Sequence, residues 1–84
     1  MTFWVRCSLE QGMLPGEYVE MNTSVAGRIS LFAPEDKVRP DEKLMRVEMV
    51  QEGNGSGVLV RLPAPPFEIA SQNVRVAQED LLTE

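Results

Sequence analysis

The stretch from Leu44 to Leu62, LMRVEMVQEGNGSGVLVRL, decides the fold. Two apolar-rich runs, 44–50 and 58–62, flank a glycine-rich segment that contains Asn54-Gly55. Asn-Gly between alternating hydrophobic residues is typical of a two-residue β-hairpin loop, because both loop positions need a positive φ. The stretch therefore predicts a β-hairpin that turns at Asn54-Gly55.

The position of the turn also predicts which residues of the two strands face each other. The expected cross-strand pairs are Val47–Leu62, Glu48–Arg61, Met49–Val60, Val50–Leu59 and Gln51–Val58. The Glu48–Arg61 pair brings opposite charges together, which is favourable across antiparallel strands. Sliding the register by two residues would break the turn or separate this pair.

Other short runs show the period-two alternation of strands, at 3–9, 18–23, 27–32 and 73–77. The prolines and charges of 33–43 exclude a central strand there. Pro34 followed by two acids favours one short helical turn, after which Val38 would dip into the core. The proline-rich segment 63–67 predicts an extended connector along a sheet edge, and 79–82 predicts a closing turn.

Several short strands separated by turn signals indicate a small barrel or sandwich. The chain of 84 residues is long enough for one domain, 1–84, with a thin core. A single sheet would leave one face bare. We therefore predict an all-β fold, a small five- or six-stranded partly open barrel of the SH3-like or OB-like kind, mostly antiparallel and with at most one short helical turn.

The charge balance limits the classes of partner. The formal net charge is −5, from 13 acidic and 8 basic residues, and such a balance disfavours phosphate backbones and anionic membranes. The sequence has no pattern of a signal peptide and no apolar run that could span a membrane. Together with the single cysteine, Cys7, this predicts a cytoplasmic protein with no membrane partner.

Catalytic groups are scarce. The chain contains no histidine, so Cys7 has no Cys–His partner, and its alternation with apolar residues predicts a buried small side chain. Adjacent acids such as Glu35-Asp36 and Asp41-Glu42 are typical of solvated loops. Gly53–Gly57 precedes a strand, so it is hairpin chemistry and not a phosphate-binding loop. We expect no enzyme activity, no catalytic residue, no cofactor and no metal site.

The arginines are the most unusual feature. Each of five, Arg6, Arg28, Arg46, Arg61 and Arg75, lies inside an expected strand among apolar residues. The simplest interpretation is ordinary outward-facing charge, partly neutralised by acids such as Glu20 and Glu48. The functional interpretation is an exposed surface of arginine and large apolar residues on one sheet, as is common at protein interfaces. Its candidate residues are Trp4, Arg6, Arg28, Phe32, Arg46, Leu59, Arg61, Phe67 and Arg75.

These observations lead to three hypotheses about function. The first is a non-enzymatic intracellular interaction or assembly module that binds another protein or a second copy of itself. The second is a nucleic-acid-binding barrel that uses the same arginines, which the acidic total disfavours. The third is a purely structural subunit of a larger assembly.

Overall fold

The computed structural model describes residues 1–11, 17–24, 27–51 and 57–84. In this part of the chain the secondary structure consists of short strands and two single 3-10 turns, at Glu35–Lys37 and Gln78–Asp80. The strands are β1 (Phe3–Arg6), β2 (Ser8–Gln11), β3 (Glu17–Asn22), β4 (Arg28–Ala33), β5 (Val38–Arg39), β6 (Leu44–Gln51), β7 (Val58–Arg61), β8 (Asn73–Val76) and β9 (Leu81–Thr83). The all-β prediction is confirmed.

Two antiparallel sheets build the domain. The larger one has the strand order β8-β7-β6-β1-β9, with the two-residue strand β5 also paired to β6. The smaller one has the order β2-β3-β4. Strand pairing does not close a ring among the described residues, and the arrangement is that of a partly open barrel. No helix in this part of the chain is long and apolar enough to cross a membrane.

The first expected strand, 3–9, serves both sheets. It breaks at Cys7, whose backbone N–H donates a hydrogen bond to the carbonyl of Lys43 over 3.0 Å. Before the break β1 pairs with β6 and β9, and after it β2 pairs with β3. The expected closing turn at 79–82 is partly wrong, because Leu81 and Leu82 pair with β1 as strand β9.

The expected hairpin register is confirmed at Glu48 and Met49 and is wrong nearer the turn. Glu48 faces Arg61 and Met49 faces Val60, as expected. A β-bulge between Met49 and Gln51 then shifts the register by one residue, so Gln51 faces Leu59. The expected pairs Val50–Leu59 and Gln51–Val58 are therefore wrong. The turn at Asn54-Gly55 lies outside the described residues.

The hairpin also ends earlier than expected. Strand β7 stops at Arg61, and the Leu62 N–H donates to the carbonyl of Gln72 at 2.9 Å. The expected Val47–Leu62 pair is therefore not part of the ladder. Beyond Leu62 the chain leaves β6 and starts the proline-rich connector.

The core lies between the inner faces of the two sheets. Its fully buried side chains come from both, including Val5, Met45 and Val60 from the larger sheet and Ile29 and Leu31 from the smaller one. The single turn at Glu35–Lys37 and the burial of Val38, with 8% exposed, match the expectation for 33–43. Because successive side chains of a strand point to opposite faces, each sheet also has an outer face.

The proline-rich connector reaches the free edge of β4. The N–H of Phe67 donates to the carbonyl of Ser30 at 2.9 Å. The carboxylate of Glu68 then accepts two hydrogen bonds from Ser30, one from its N–H at 2.7 Å and one from its hydroxyl at 2.6 Å. The connector therefore covers an edge that would otherwise offer unpaired backbone groups, as the sequence predicted.

Candidate functional site

The strand registers divide the candidate residues between two outer surfaces. In the larger sheet Trp4 faces Arg46, Glu48 faces Arg61 and Leu59 faces Arg75, and each pair shares the side opposite the core. We call this surface the arginine face. Its charged and large apolar members are Trp4, Arg6, Arg39, Arg46, Glu48, Leu59, Arg61, Arg75, Leu82 and Glu84.

The expectation that all five arginines lie on one sheet is wrong for Arg28. Arg28 belongs to β4, so it lies on the outer surface of the smaller sheet, together with Phe32. We call this surface, with the adjoining connector, the aromatic face. Its members are Tyr18, Glu20, Arg28, Ser30, Phe32, Phe67 and Glu68.

Trp4 is buried, contrary to the expectation of an exposed contact residue. Only 6% of it is exposed. The guanidinium of Arg39 lies over the indole ring, with 4.1 Å between the Arg39 Cζ and the ring centroid. This cation–π contact covers the ring from the solvent side.

Glu84 holds Arg39 over the tryptophan. Both terminal nitrogens of Arg39 donate to the Glu84 carboxylate, each at 2.6 Å, in a bidentate pair. These hydrogen bonds raise the pKa of Arg39 and lower the pKa of Glu84. The buried Nε1 of Trp4 has no partner within hydrogen-bond geometry among the described residues. Its N–H still contributes, less than Arg39 does, to the lowered pKa of Glu84.

The other four arginines of the arginine face have no such partner. Within the described part of the chain Arg6, Arg46, Arg61 and Arg75 form no side-chain hydrogen bond and no ion pair within 4.0 Å. Glu48 lies opposite Arg61 in the ladder without forming an ion pair with it. The expected cross-strand placement of Glu48 and Arg61 is therefore confirmed, without an ion pair between the two side chains.

The arginine face is basic although the chain is acidic. Five of the 8 basic residues lie on it, namely Arg6, Arg39, Arg46, Arg61 and Arg75. The acids among its described members are Glu48 and Glu84, with Glu42 at the margin, 3.5 Å from Arg39. This segregation of charge creates a local positive potential that the net charge of −5 conceals.

Several side chains of the aromatic face contact one another. Tyr18 and Phe67 both meet Phe32 edge to face, with ring centroids 5.6 Å and 5.4 Å apart. The Arg28 Nε donates to Glu20 over 2.6 Å, so the neutralisation expected from Glu20 does occur here. The pKa of Glu68 is lowered mainly by the hydrogen bond from the Ser30 hydroxyl, and to a smaller extent by the one from the Ser30 backbone N–H.

The sequence missed Arg39, Glu84, Tyr18 and Glu68. Arg39 and Glu84 lie 45 residues apart, and Ser30 and Glu68 lie 38 residues apart. One local signal was available for Arg39. Pro40 follows it, and the residue before a proline favours an extended backbone, which is compatible with a strand at Arg39.

Cys7 lies at the junction of the sheets, in a small groove of about 200 Å³ between Arg6 and Arg28. Its side chain is half-buried and packs against the core, and burial raises the pKa of the thiol to about 11. A thiol with so high a pKa carries little thiolate near neutral pH, so it is a poor nucleophile. Among the described residues no group of three or more His, Cys, Asp or Glu is placed to hold a metal ion.

No protein-family model, curated protein or solved structure matches the chain. The site is therefore interpreted from its own geometry.

Proposed function

We propose that the chain is a non-enzymatic interaction module whose arginine face binds an acidic segment of a partner protein. The observation that carries the proposal is the set of four arginines on one sheet surface that form no side-chain hydrogen bond or ion pair within the described part of the chain. A guanidinium can bind a carboxylate through two parallel hydrogen bonds, which makes arginine well suited to acidic partners. Arginine is also enriched among the residues that dominate binding energy at protein interfaces.

The placement of the aromatic rings favours a protein over a nucleic acid. Single-stranded nucleic acids bind where bases can stack on exposed aromatic side chains. Among the described residues the aromatic member of the arginine face is Trp4, which lies under Arg39. The exposed rings of Phe32 and Phe67, 42% and 60% accessible, lie on the aromatic face instead.

The proposal also includes the cellular location of the protein and the type of barrel that it forms. We propose a cytoplasmic module, supported by the single cysteine, which has no disulfide partner within the chain. The barrel class, SH3-like or OB-like, is supported by the run that changes sheets at Cys7, because strands that switch sheets form the corners of small barrels.

A labelled peptide of alternating Glu and Gly tests the proposal by fluorescence anisotropy at low salt. We expect it to bind the wild-type chain and to bind Arg61→Gln about tenfold more weakly, because a charge-assisted hydrogen bond is lost. Arg28→Gln is the matched control, since it removes the same charge from the other sheet and leaves the arginine face intact. Added salt should weaken binding as it screens the exposed charges.

Two outcomes would contradict the proposal. One is equal weakening by Arg28→Gln and Arg61→Gln, which would show attraction by charge without a defined surface. The other is tighter binding of single-stranded DNA or RNA than of the peptide under the same salt conditions, which would replace the protein partner with a nucleic acid.

A further inference from the structure

A gap in the larger sheet lies at one end of the arginine face. On the side of β6 away from β1, β5 pairs with Leu44 and Met45, and β7 begins to pair at Glu48. Arg46 and Val47 therefore have no strand neighbour on that side among the described residues. The gap opens into a groove of about 540 Å³, which we call the gap groove.

The gap groove has a mixed lining in which polar surface exceeds apolar surface. Its apolar lining includes Phe3, Met49 and Leu62, which continue the packing of the core. Leu62 is 1% exposed, while Phe3 and Met49 are half-buried and stay partly open to the groove. An apolar group that enters the groove would remove this remaining apolar surface from water.

Three cations line the groove together with these apolar residues. Lys37, Arg46 and Arg61 all line the groove, and none of them forms an ion pair within the part of the chain that the structure describes. Glu48 is the acid among the lining residues. The cations exceed the acid, so the groove favours a ligand with negative charge around an apolar centre.

We propose that the gap groove is the specificity pocket for the acidic partner, and that it takes a large apolar side chain flanked by carboxylates. This inference rests on the proposed function and adds the sequence pattern that the partner should carry. The volume lies within the range of about 300–1,000 Å³ that is usual for ligand pockets. The neighbouring carboxylates would bind Arg46 and Arg61 while the apolar side chain contacts Met49 and Phe3.

Two peptides test the pocket by fluorescence anisotropy. Both contain two acids on each side of a central position, which is leucine in one peptide and alanine in the other. We expect the leucine peptide to bind the wild-type chain about tenfold more tightly, because burial of the larger side chain adds favourable free energy. The variant Met49→Gln should remove this preference and keep the weaker binding of the alanine peptide.

Val50→Gln is the matched control, since it makes the same type of change on the next residue of β6. Val50 lies at the bulge, is 49% exposed and does not line the gap groove. Its variant should keep the full preference for leucine. If both variants lose the preference equally, or if neither does, the pocket is not the gap groove.

The methionine methyl groups give a second measurement that needs no variant. In the wild-type chain the leucine peptide should shift the methyl NMR signal of Met49. The signal of Met21, which is buried in the smaller sheet, should stay unchanged. Equal affinity for the two peptides, with binding still lost in Arg61→Gln, would overturn the pocket and leave the proposed function standing. Failure of both peptides to bind would overturn the proposed function itself.

Discussion

The two outer faces of the domain use similar residues in different ways. On the aromatic face Arg28 is held by Glu20 at 2.6 Å, and Ser30 is held by Glu68 at 2.6 Å and 2.7 Å. On the arginine face Arg39 is paired with Glu84, but the other arginines have no internal partner in the described chain. Within the described chain the fold pairs Arg28 on one face and leaves four arginines of the other face without an ion pair.

This difference separates charge that stabilises the fold from charge that is free to bind. Arg28 is the first residue of β4 and Arg61 is the last residue of β7, and both lie on the outer face of their sheet. What distinguishes them is the residue that approaches from another strand. A search for binding surfaces should therefore ask which charged side chains the fold has left without partners.

The comparison of two leucines tests whether the arginine face is truly a surface, and it should show the largest effect. Leu31 is fully buried on the inner side of the smaller sheet, and Leu59 is half-buried on the arginine face. Leu31→Ala should lower the free energy of unfolding by about 2–5 kcal/mol through lost packing and a cavity. Leu59→Ala should cost about 1 kcal/mol or less. Urea unfolding measures both, and a similar cost for the two would place Leu59 in the core.

Ser30 tests whether the closure of the β4 edge stabilises the fold. The side chain is buried, with 6% exposed, and its hydroxyl donates to a carboxylate. Ser30→Ala should cost about 1–3 kcal/mol, because a hydrogen bond to a charged group is lost. The control is Ser8→Ala on β2, an exposed position where a change of about 0.5 kcal/mol or less is expected. Equal costs would show that the hydrogen bond from the Ser30 hydroxyl to Glu68 does not stabilise this edge.

The same closure should make stability depend on pH. Hydrogen bonds from Ser30 lower the pKa of Glu68 in the folded state below its ordinary value of 4.5. The stabilisation is therefore complete above the unfolded pKa and is lost as the pH falls through the lowered folded pKa. Thermal unfolding between pH 7 and pH 3 should show a smaller fall in Tm for Glu68→Gln than for the wild type. Glu79→Gln, in the exposed turn before β9, should follow the wild type.

The arginines should show the smallest effects on stability. Arg61→Gln should change the free energy of unfolding by no more than about 0.5 kcal/mol, because among the described residues the Arg61 side chain forms no hydrogen bond or ion pair that would be lost. Arg28→Gln should cost about 0.2–1 kcal/mol, as is usual for an exposed ion pair. Urea midpoints at low salt can resolve the difference. A cost above about 1 kcal/mol for Arg61→Gln would mean that the fold uses this arginine after all.

The strands were predictable from the sequence because alternation and turn chemistry are local properties. The Glu48–Arg61 register followed from the position of the Asn-Gly pair, and the extended connector followed from its prolines. The bulge near Val50 was not predicted, because the period-two register was carried without interruption through the adjacent apolar residues Met49 and Val50.

The candidate site was predictable only in part, for a physical reason. Outward positions of Arg46 and Arg61 follow from strand periodicity. The cover over Trp4 comes from Arg39 and Glu84, which are distant from it in sequence, and the assignment of Arg28 to the other sheet depends on the break at Cys7. Such contacts arise from the tertiary fold and leave no periodic signal in the sequence.

Trp4 gives the arginine face a natural optical reporter. It is the chain's one tryptophan, and Arg39 covers its indole while Glu84 holds Arg39 in place. A carboxylate from a partner that competes with Glu84 for Arg39 would uncover the ring to water. The intrinsic emission should then move to longer wavelengths, so occupancy of the face can be followed on the unlabelled wild-type chain.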